Sequence, residues 1–415
     1  MDRVELAHLL GTTGRLAELP AGPVVIEEAD PERFRQAFAR AVSGGGPVFL
    51  ADPAWGASER GQLAALLEAP IPGPQPSGLR GWLMIPSGGT GGTLKFARHD
   101  EETVAAAVLG FSQAYGVRQI NAVGVLPLHH VSGLMAWMRC VLTGGEYLPW
   151  DWKQLEAGHA PSLAGSGDWF LSVVPTQLQR LLALPEMVVW LRRFRVIWVG
   201  GGPVWPELAE AAARAELPLA LSYGMTETAA MVAGQRPGDF LAGQRDCGPA
   251  LPHVRIGLNA EGVVEVAGGS VFRGYWPEWR DERSFATEDL GQLDEQGRLR
   301  ILGRRDAMII TGGKKVSPSE VEAALRATGE FSDVAVIGIP DREWGEIIVA
   351  CYPTAGKTPD FEQVAAKLGA LIGYKRPKSY LAIGAWPRNA QGKINRAALL
   401  AAASRPLPIE ARLSD

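Results

Sequence analysis

The sequence predicts an α/β chain: a large N-terminal domain of parallel-type sheets covered by helices, and a small α+β C-terminal domain. Three observations point there. Between Trp82 and Ile301, β-rich runs (INAVGVLPL, WFLSVVP, FRVIWVGGG) alternate with amphipathic segments (PTQLQRLLAL, PELAEAAARAE), the pattern of strands joined by helical crossovers. After GQLDEQGRLRILGRRD the character changes, and Ser317-Pro318-Ser319-Glu320 supplies an N-cap, a proline at the first helical position and a capping-box acid. Beyond that helix, whose apolar face is Val321, Ala324 and Leu325, the runs VAVIGI and IIVACY bracket a turn. The expected division is 1–305 for the large domain, with 1–80 an abbreviated α/β region, and 306–415 for the small one.

A chain of 415 residues exceeds one ordinary core, and 47% hydrophobic with 21% charged residues fits a globular protein. A net charge of −4 with no dense Lys/Arg run leaves no electrostatic footprint for nucleic acid, so a small-molecule partner is expected; oligomeric state is not readable. Cys140, Cys247 and Cys351 lie far apart, without metal-ligand spacing, which fits a reducing compartment. The start MDRVELAHLL does not read as a signal peptide, so a cytoplasmic location is expected. The apolar stretch Ala122 to Gly145 is broken by Pro127, His129, His130 and Arg139, and predicts a buried strand and helix, not a membrane span.

The run Trp82 to Ile85 leads into Ser87-Gly88-Gly89-Thr90-Gly91-Gly92-Thr93-Leu94-Lys95. Successive glycines let backbone N–H groups converge on an anion, and hydroxyls with a lysine complete a phosphate cradle. The bland reading is a flexible turn. A Walker loop needs lysine straight after its last glycine and a hydroxyl after that; here Thr93 and Leu94 intervene and Phe96 follows, so that motif fails.

Further segments follow in order: Leu126-Pro127-Leu128-His129-His130-Val131-Ser132-Gly133, Val199-Gly200-Gly201-Gly202-Pro203, Ser222-Tyr223-Gly224-Met225-Thr226-Glu227, Gly274-Tyr275-Trp276, Asp289, Gly303-Arg304-Arg305-Asp306, Thr311-Gly312-Gly313-Lys314-Lys315 and Asn389-Ala390-Gln391-Gly392-Lys393-Ile394. Each alone has an ordinary explanation: a core histidine, a strand-to-helix turn, an exposed turn aspartate, a solvated Gly-Lys. As an ordered series they resemble the adenylate-forming superfamily of acyl-CoA synthetases, luciferases and peptide-synthetase adenylation domains, over residues 80 to 400. Gly91 replaces a hydroxyl residue usual there, and Leu94 a common proline.

The resemblance implies ATP, Mg²⁺ and coenzyme A as cofactors and co-substrates, and a small carboxylic acid as substrate. It gives Ser87 to Gly92 and Lys95 to the phosphates, with Thr90 on the departing pyrophosphate. Gly201, Gly202 and Pro203 line the nucleotide and acyl slot, and Ser222, Gly224 and Met225 frame the adenine side. Tyr223 stacks on adenine, Thr226 meets a phosphate and Glu227 holds the metal. Asp289 and Arg304 take the ribose, Asp306 is the hinge, Gly312 and Gly313 shape the thioester path, and Lys393 is the catalytic lysine. Lys393, Thr226, Glu227 and His130 are the catalytic candidates, His130 by bordering and gating the acyl pocket, and His130, Ser132, Gly133, Arg139 and Gly200 are the substrate-side candidates. The resemblance also implies that the large domain is trimmed at its start and that the small one is mobile about the hinge near Asp306. Within the superfamily, the segment Val173 to Leu182 and the run His130-Val131-Ser132-Gly133 with Trp137 and Arg139 resemble the o-succinylbenzoate-CoA ligases of menaquinone and phylloquinone biosynthesis. Aryl or medium-chain acyl-CoA ligases, stand-alone carrier-protein adenylation enzymes and noncatalytic nucleotide-binding relatives are the alternatives.

Overall fold

A computed structural model describes residues 1–11, 22–69, 81–88, 93–163, 167–355, 358–388 and 394–403. Its first sheet holds β1 (Val24–Ile26), β2 (Val48–Leu50), β3 (Leu83–Gly88) and β4 (Leu94–His99), in that order. β1, β2 and β3 run parallel and β4 folds back antiparallel on β3. Every residue of β2 is buried, as a parallel strand covered on both faces requires. The opening region is therefore part of the same sheet as β3 and β4. Its helix Pro31–Val42 starts on an Asp30 cap and buries Phe34 and Phe38, the latter edge-on to Trp137 at 5.4 Å.

The second sheet holds β5 (Asn121–Gly124), β6 (Tyr147–Pro149), β7 (Trp169–Val173), β8 (Val196–Val199), β9 (Leu219–Met225) and β10 (Ala230–Gly234), ordered β10-β9-β8-β7-β5-β6. All pairs are parallel except β9 with β10. Helices Pro175–Leu182 and Pro206–Arg214 form where the amphipathic segments predicted them, each with proline in its first turn, where the missing N–H costs nothing. The apolar stretch from Ala122 resolves into β5 and the helix Val131–Thr143, whose Leu134, Met135 and Met138 lie in the core. Among the described residues no helix is long and apolar enough to cross a membrane.

The helix-crossover pattern then stops. β11 (Val254–Leu258), β12 (Val263–Gly268), β13 (Ser284–Leu293) and β14 (Leu299–Arg304) make a sheet that is antiparallel throughout. Two of its three links are turns of a few residues, too short for a parallel crossover.

The last sheet contains β15 (Ile309–Thr311), β16 (Lys314–Val316), β17 (Ala335–Asp341), β18 (Gly345–Pro353) and β19 (Ser379–Ile383). Helix Pro318–Ala327 packs Val321, Ala324 and Leu325 against Ile309, Val316, Val336 and Ile348. The expected capping box is absent: the Ser317 hydroxyl bonds the Leu302 carbonyl at 3.2 Å and the Ser319 hydroxyl at 2.8 Å. Glu320 instead accepts from Lys375 Nζ at 2.6 Å, because an ammonium is a stronger partner than a backbone amide.

Candidate functional site

The end of β3, the turn after β9 and the segment between β12 and β13 converge. At the end of β9, Thr226–Thr228 forms a single 3₁₀ turn and the chain reverses into β10 with Ala229 and Ala230 at φ 49° and 74°. Non-glycine residues adopt such angles only where surrounding structure holds them. Gly224 is needed here, since an added Cβ would lie 2.0 Å from the Ala230 carbonyl oxygen. The turn presents Glu227, only 6% exposed. The Ser87 hydroxyl donates to Glu227 Oε1 at 2.6 Å, and the Tyr275 phenol donates to the same oxygen at 2.7 Å. Burial, and then the neighbouring Glu227 charge, raise the Tyr275 phenol, so it stays protonated as a donor. Lys95, cross-strand from Ser87, sits 5.3 Å over the Tyr275 ring. Among the described residues no cation forms an ion pair with Glu227.

His99 supports this turn from behind. Its Nε2 bonds the Thr226 carbonyl at 2.7 Å and its Nδ1 meets the Thr103 hydroxyl at 3.0 Å. Complete burial pushes the imidazole down to about 4, and a neutral ring with Nε2 protonated donates to Thr226.

A second group lies on β9, β13 and β14. The Tyr223 hydroxyl donates to Asp289 Oδ2 at 2.7 Å, and Arg304 Nη1 lies 3.7 Å from Asp289 Oδ1 as its cross-strand partner. Burial raises the Asp289 carboxyl, against the opposing pull of Tyr223 and Arg304. Arg304 also grips Asp306 through two bonds of 2.8 and 2.7 Å, which raises the guanidinium further. Ser222 stands beside the glycine loop after β8, where a Cβ on Gly200 would come within 3.3 Å of its hydroxyl. Gly201 has φ 78°, and Gly202 and Pro203 are exposed; Met225 donates its backbone N–H to the Thr228 hydroxyl.

Not every expected residue joins these groups. Gly312 and Gly313 form the β15–β16 hairpin turn at φ 55° and 72°, a left-handed pair that glycine satisfies, and Gly312 packs on Trp344. Among the described residues no hydrogen bond or ion pair connects that turn to Ser87, Thr226 or Glu227. Gly133 has a packing reason, because an added Cβ would lie 2.2 Å from the Pro127 carbonyl oxygen. His130 precedes helix Val131–Thr143 as its cap residue, and Ser132 is half-buried in its first turn. Arg139, on the same helix, is buried with its guanidinium 4.2 Å over Phe111 and 5.9 Å from Trp198. Its Nε has no hydrogen-bond partner, and burial lowers the group to about 10. Gly89, Thr90, Gly91, Gly92 and Lys393 lie outside the described residues; Gly88 closes β3 just before the first four.

Sequence reasoning missed the contacts of His99 and Tyr275. Tyr275 was visible only as part of a turn motif, and nothing in the run Lys95 to Asp100 marks His99 as the support of a residue 127 positions away.

Residues 26–276 match the family described as AMP-binding enzyme, and residues 320–393 match the AMP-binding enzyme C-terminal domain. The first match begins well before residue 80, in keeping with β1 and β2 lying in one sheet with β3 and β4. The 2-succinylbenzoate–CoA ligase of Listeria monocytogenes serotype 4b is 33% identical over 282 residues, which cover 65% of this chain and 59% of that protein. The indoleacetate–CoA ligase of Aromatoleum aromaticum is 30% identical over 293 residues, covering 65% of this chain and 57% of that protein. The chain thus spans less than two thirds of the length of these relatives. In fold it is similar to o-succinylbenzoate CoA synthetase (MenE) of Bacillus subtilis in complex with the acyl-adenylate intermediate OSB-AMP, with a TM-score of 0.76 and 21% identity over 96% of this chain and 91% of that one.

Proposed function

Because the chain belongs to the AMP-binding enzyme family, we propose that it activates a carboxylic acid with ATP, forming an acyl-adenylate and then a coenzyme A thioester, with o-succinylbenzoate as the acid. The observation that carries the activation step is Glu227: a buried carboxylate with one oxygen held by two hydroxyl donors and no cationic partner among the described residues. A buried charge left in that state is costly, and a hard divalent ion on the other oxygen removes the cost. The residues therefore fit Mg²⁺, which when bound supplies neutralising charge beside the phosphates.

In this reading the substrate carboxylate attacks the α-phosphorus of ATP in line, a P–O bond forms, and pyrophosphate departs. Ser87, Lys95 and the glycines between them hold the phosphates, Asp289 and Arg304 take the ribose, and Lys393 stabilises the charge that develops. The CoA thiol then attacks the acyl carbon and AMP leaves. The unit 306–415 pivots near Asp306 between the steps and brings the Gly312-Gly313 turn toward the acyl-adenylate.

For the acid, Arg139 is the supporting residue. A buried guanidinium with no ion-pair partner among the described residues suits a substrate with a second carboxylate, and His130 and Ser132 stand at the start of the same helix, as its cap residue and in its first turn. An aryl acid without that carboxylate is the competing reading, favoured by the indoleacetate–CoA ligase similarity. Acid-dependent ATP–pyrophosphate exchange, followed by thioester detection with CoA, separates them. Exchange is expected with o-succinylbenzoate above all; a strong preference for monocarboxylic benzoates or fatty acids would overturn the assignment, and no exchange with any acid would overturn activation itself.

A further inference from the structure

Asp52, His129 and His130 bring one carboxylate oxygen and two imidazole nitrogens within 4.8 Å of one another, apart from the Glu227 group. We propose that these three residues bind a divalent transition ion of the zinc class. Asp52 lies just past β2 and accepts the Ala54 backbone N–H on Oδ1 at 2.8 Å, which fixes the carboxylate and leaves Oδ2 for His129. His129 Nε2 stands 3.5 Å from that oxygen. Both residues are more than nine-tenths buried, and neither atom has a hydrogen-bond partner.

The spacing also accommodates an ion between the two groups. A charge-assisted N–H···O bond closes to about 2.7–2.9 Å. Two ligands held ~2.0–2.1 Å from a tetrahedral ion stand roughly 3.3–3.4 Å apart. The 3.5 Å separation lies beyond the first and within a few tenths of an ångström of the second. His130 adds the third donor, its ring centroid 4.3 Å from that of His129. The donor set also sets the metal. Two imidazoles and a carboxylate suit zinc, cobalt or nickel, whereas the carboxylate and hydroxyls around Glu227 suit magnesium.

The test is cobalt(II) and zinc titration of the full chain without nucleotide, read by the visible ligand-field absorption of cobalt and by calorimetry. One equivalent is expected to bind, to produce that absorption and to resist excess Mg²⁺. Affinity is expected to fall by at least about tenfold in Asp52→Asn and in His129→Gln, since even outer-shell changes weaken such sites by that much. It is expected to hold in Glu227→Gln. Absence of saturable binding by the unaltered chain would overturn the proposal, as would undiminished binding in either folded variant. Because the readout is metal uptake and not turnover, a negative result leaves the acid-activation reading intact.

Discussion

The Tyr223 hydroxyl and the Asp289 carboxylate share a 2.7 Å hydrogen bond across 66 residues of sequence, tying the end of β9 to β13. Tyr223→Phe is expected to leave a buried carboxylate short of one donor, at about 1–3 kcal/mol. Burial already holds Asp289 above its usual range, and losing the phenol raises it further. A raised carboxyl destabilises the fold when ionised, so the variant's stability defect is largest above the folded value and shrinks as pH falls through it. Thermal melts at several pH values check this; a pH-independent defect would contradict it. Since Asp289 is assigned to the ribose, KM for ATP is also expected to rise more than KM for the acid.

The Ser87 and Tyr275 hydroxyls both bond Glu227 at Oε1, and in the proposed reading Oε2 would take the cation. Tyr275→Phe removes one donor and lets the carboxylate rotate. The Mg²⁺ concentration for half-maximal ATP–pyrophosphate exchange is expected to rise about tenfold, as loss of outer-shell partners usually does, with little change in rate at saturating Mg²⁺. An unchanged Mg²⁺ requirement would show that the phenol does not position Glu227.

His99 sets a pH limit on the same turn. Its folded value is about 4 against an ordinary 6.5, so between those values the unfolded chain binds a proton that the folded chain does not. Stability therefore falls as pH drops through that window, by up to about 3 kcal/mol. Urea denaturation of His99→Gln is expected to show a flatter dependence between those pH values; the same slope in both proteins would locate the acid sensitivity elsewhere.

What was legible in the sequence is what local chemistry specifies. Pro175, Pro206 and Pro318 mark helix starts because proline suits a first turn. The antiparallel sheet from Val254 to Arg304 was less visible, since alternation signals strands but not their pairing direction. Contacts set by tertiary packing were not legible at all: Asp52 beside His129, His99 behind Thr226, Tyr275 on Glu227. Each joins elements far apart in sequence, with no spacing rule to connect them.

In the proposed reading, the order of the two half-reactions turns on Lys393. It ends the segment Asn389 to Lys393, whose flanking residues Arg388 and Ile394 face each other in an antiparallel bridge. A lysine that stabilises charge only while the acid attacks ATP contributes to adenylation and not to thiol attack. Lys393→Ala is therefore expected to lower acid-dependent pyrophosphate release by roughly 10²–10³-fold, the range for removing one transition-state charge partner. Thioester formation from supplied acyl-adenylate and CoA is expected to stay near the unaltered rate. Measuring both on one preparation separates the cases: equal loss of the two steps would mean that Lys393 holds the fold or the shared nucleotide site, and its assignment to adenylation would fall.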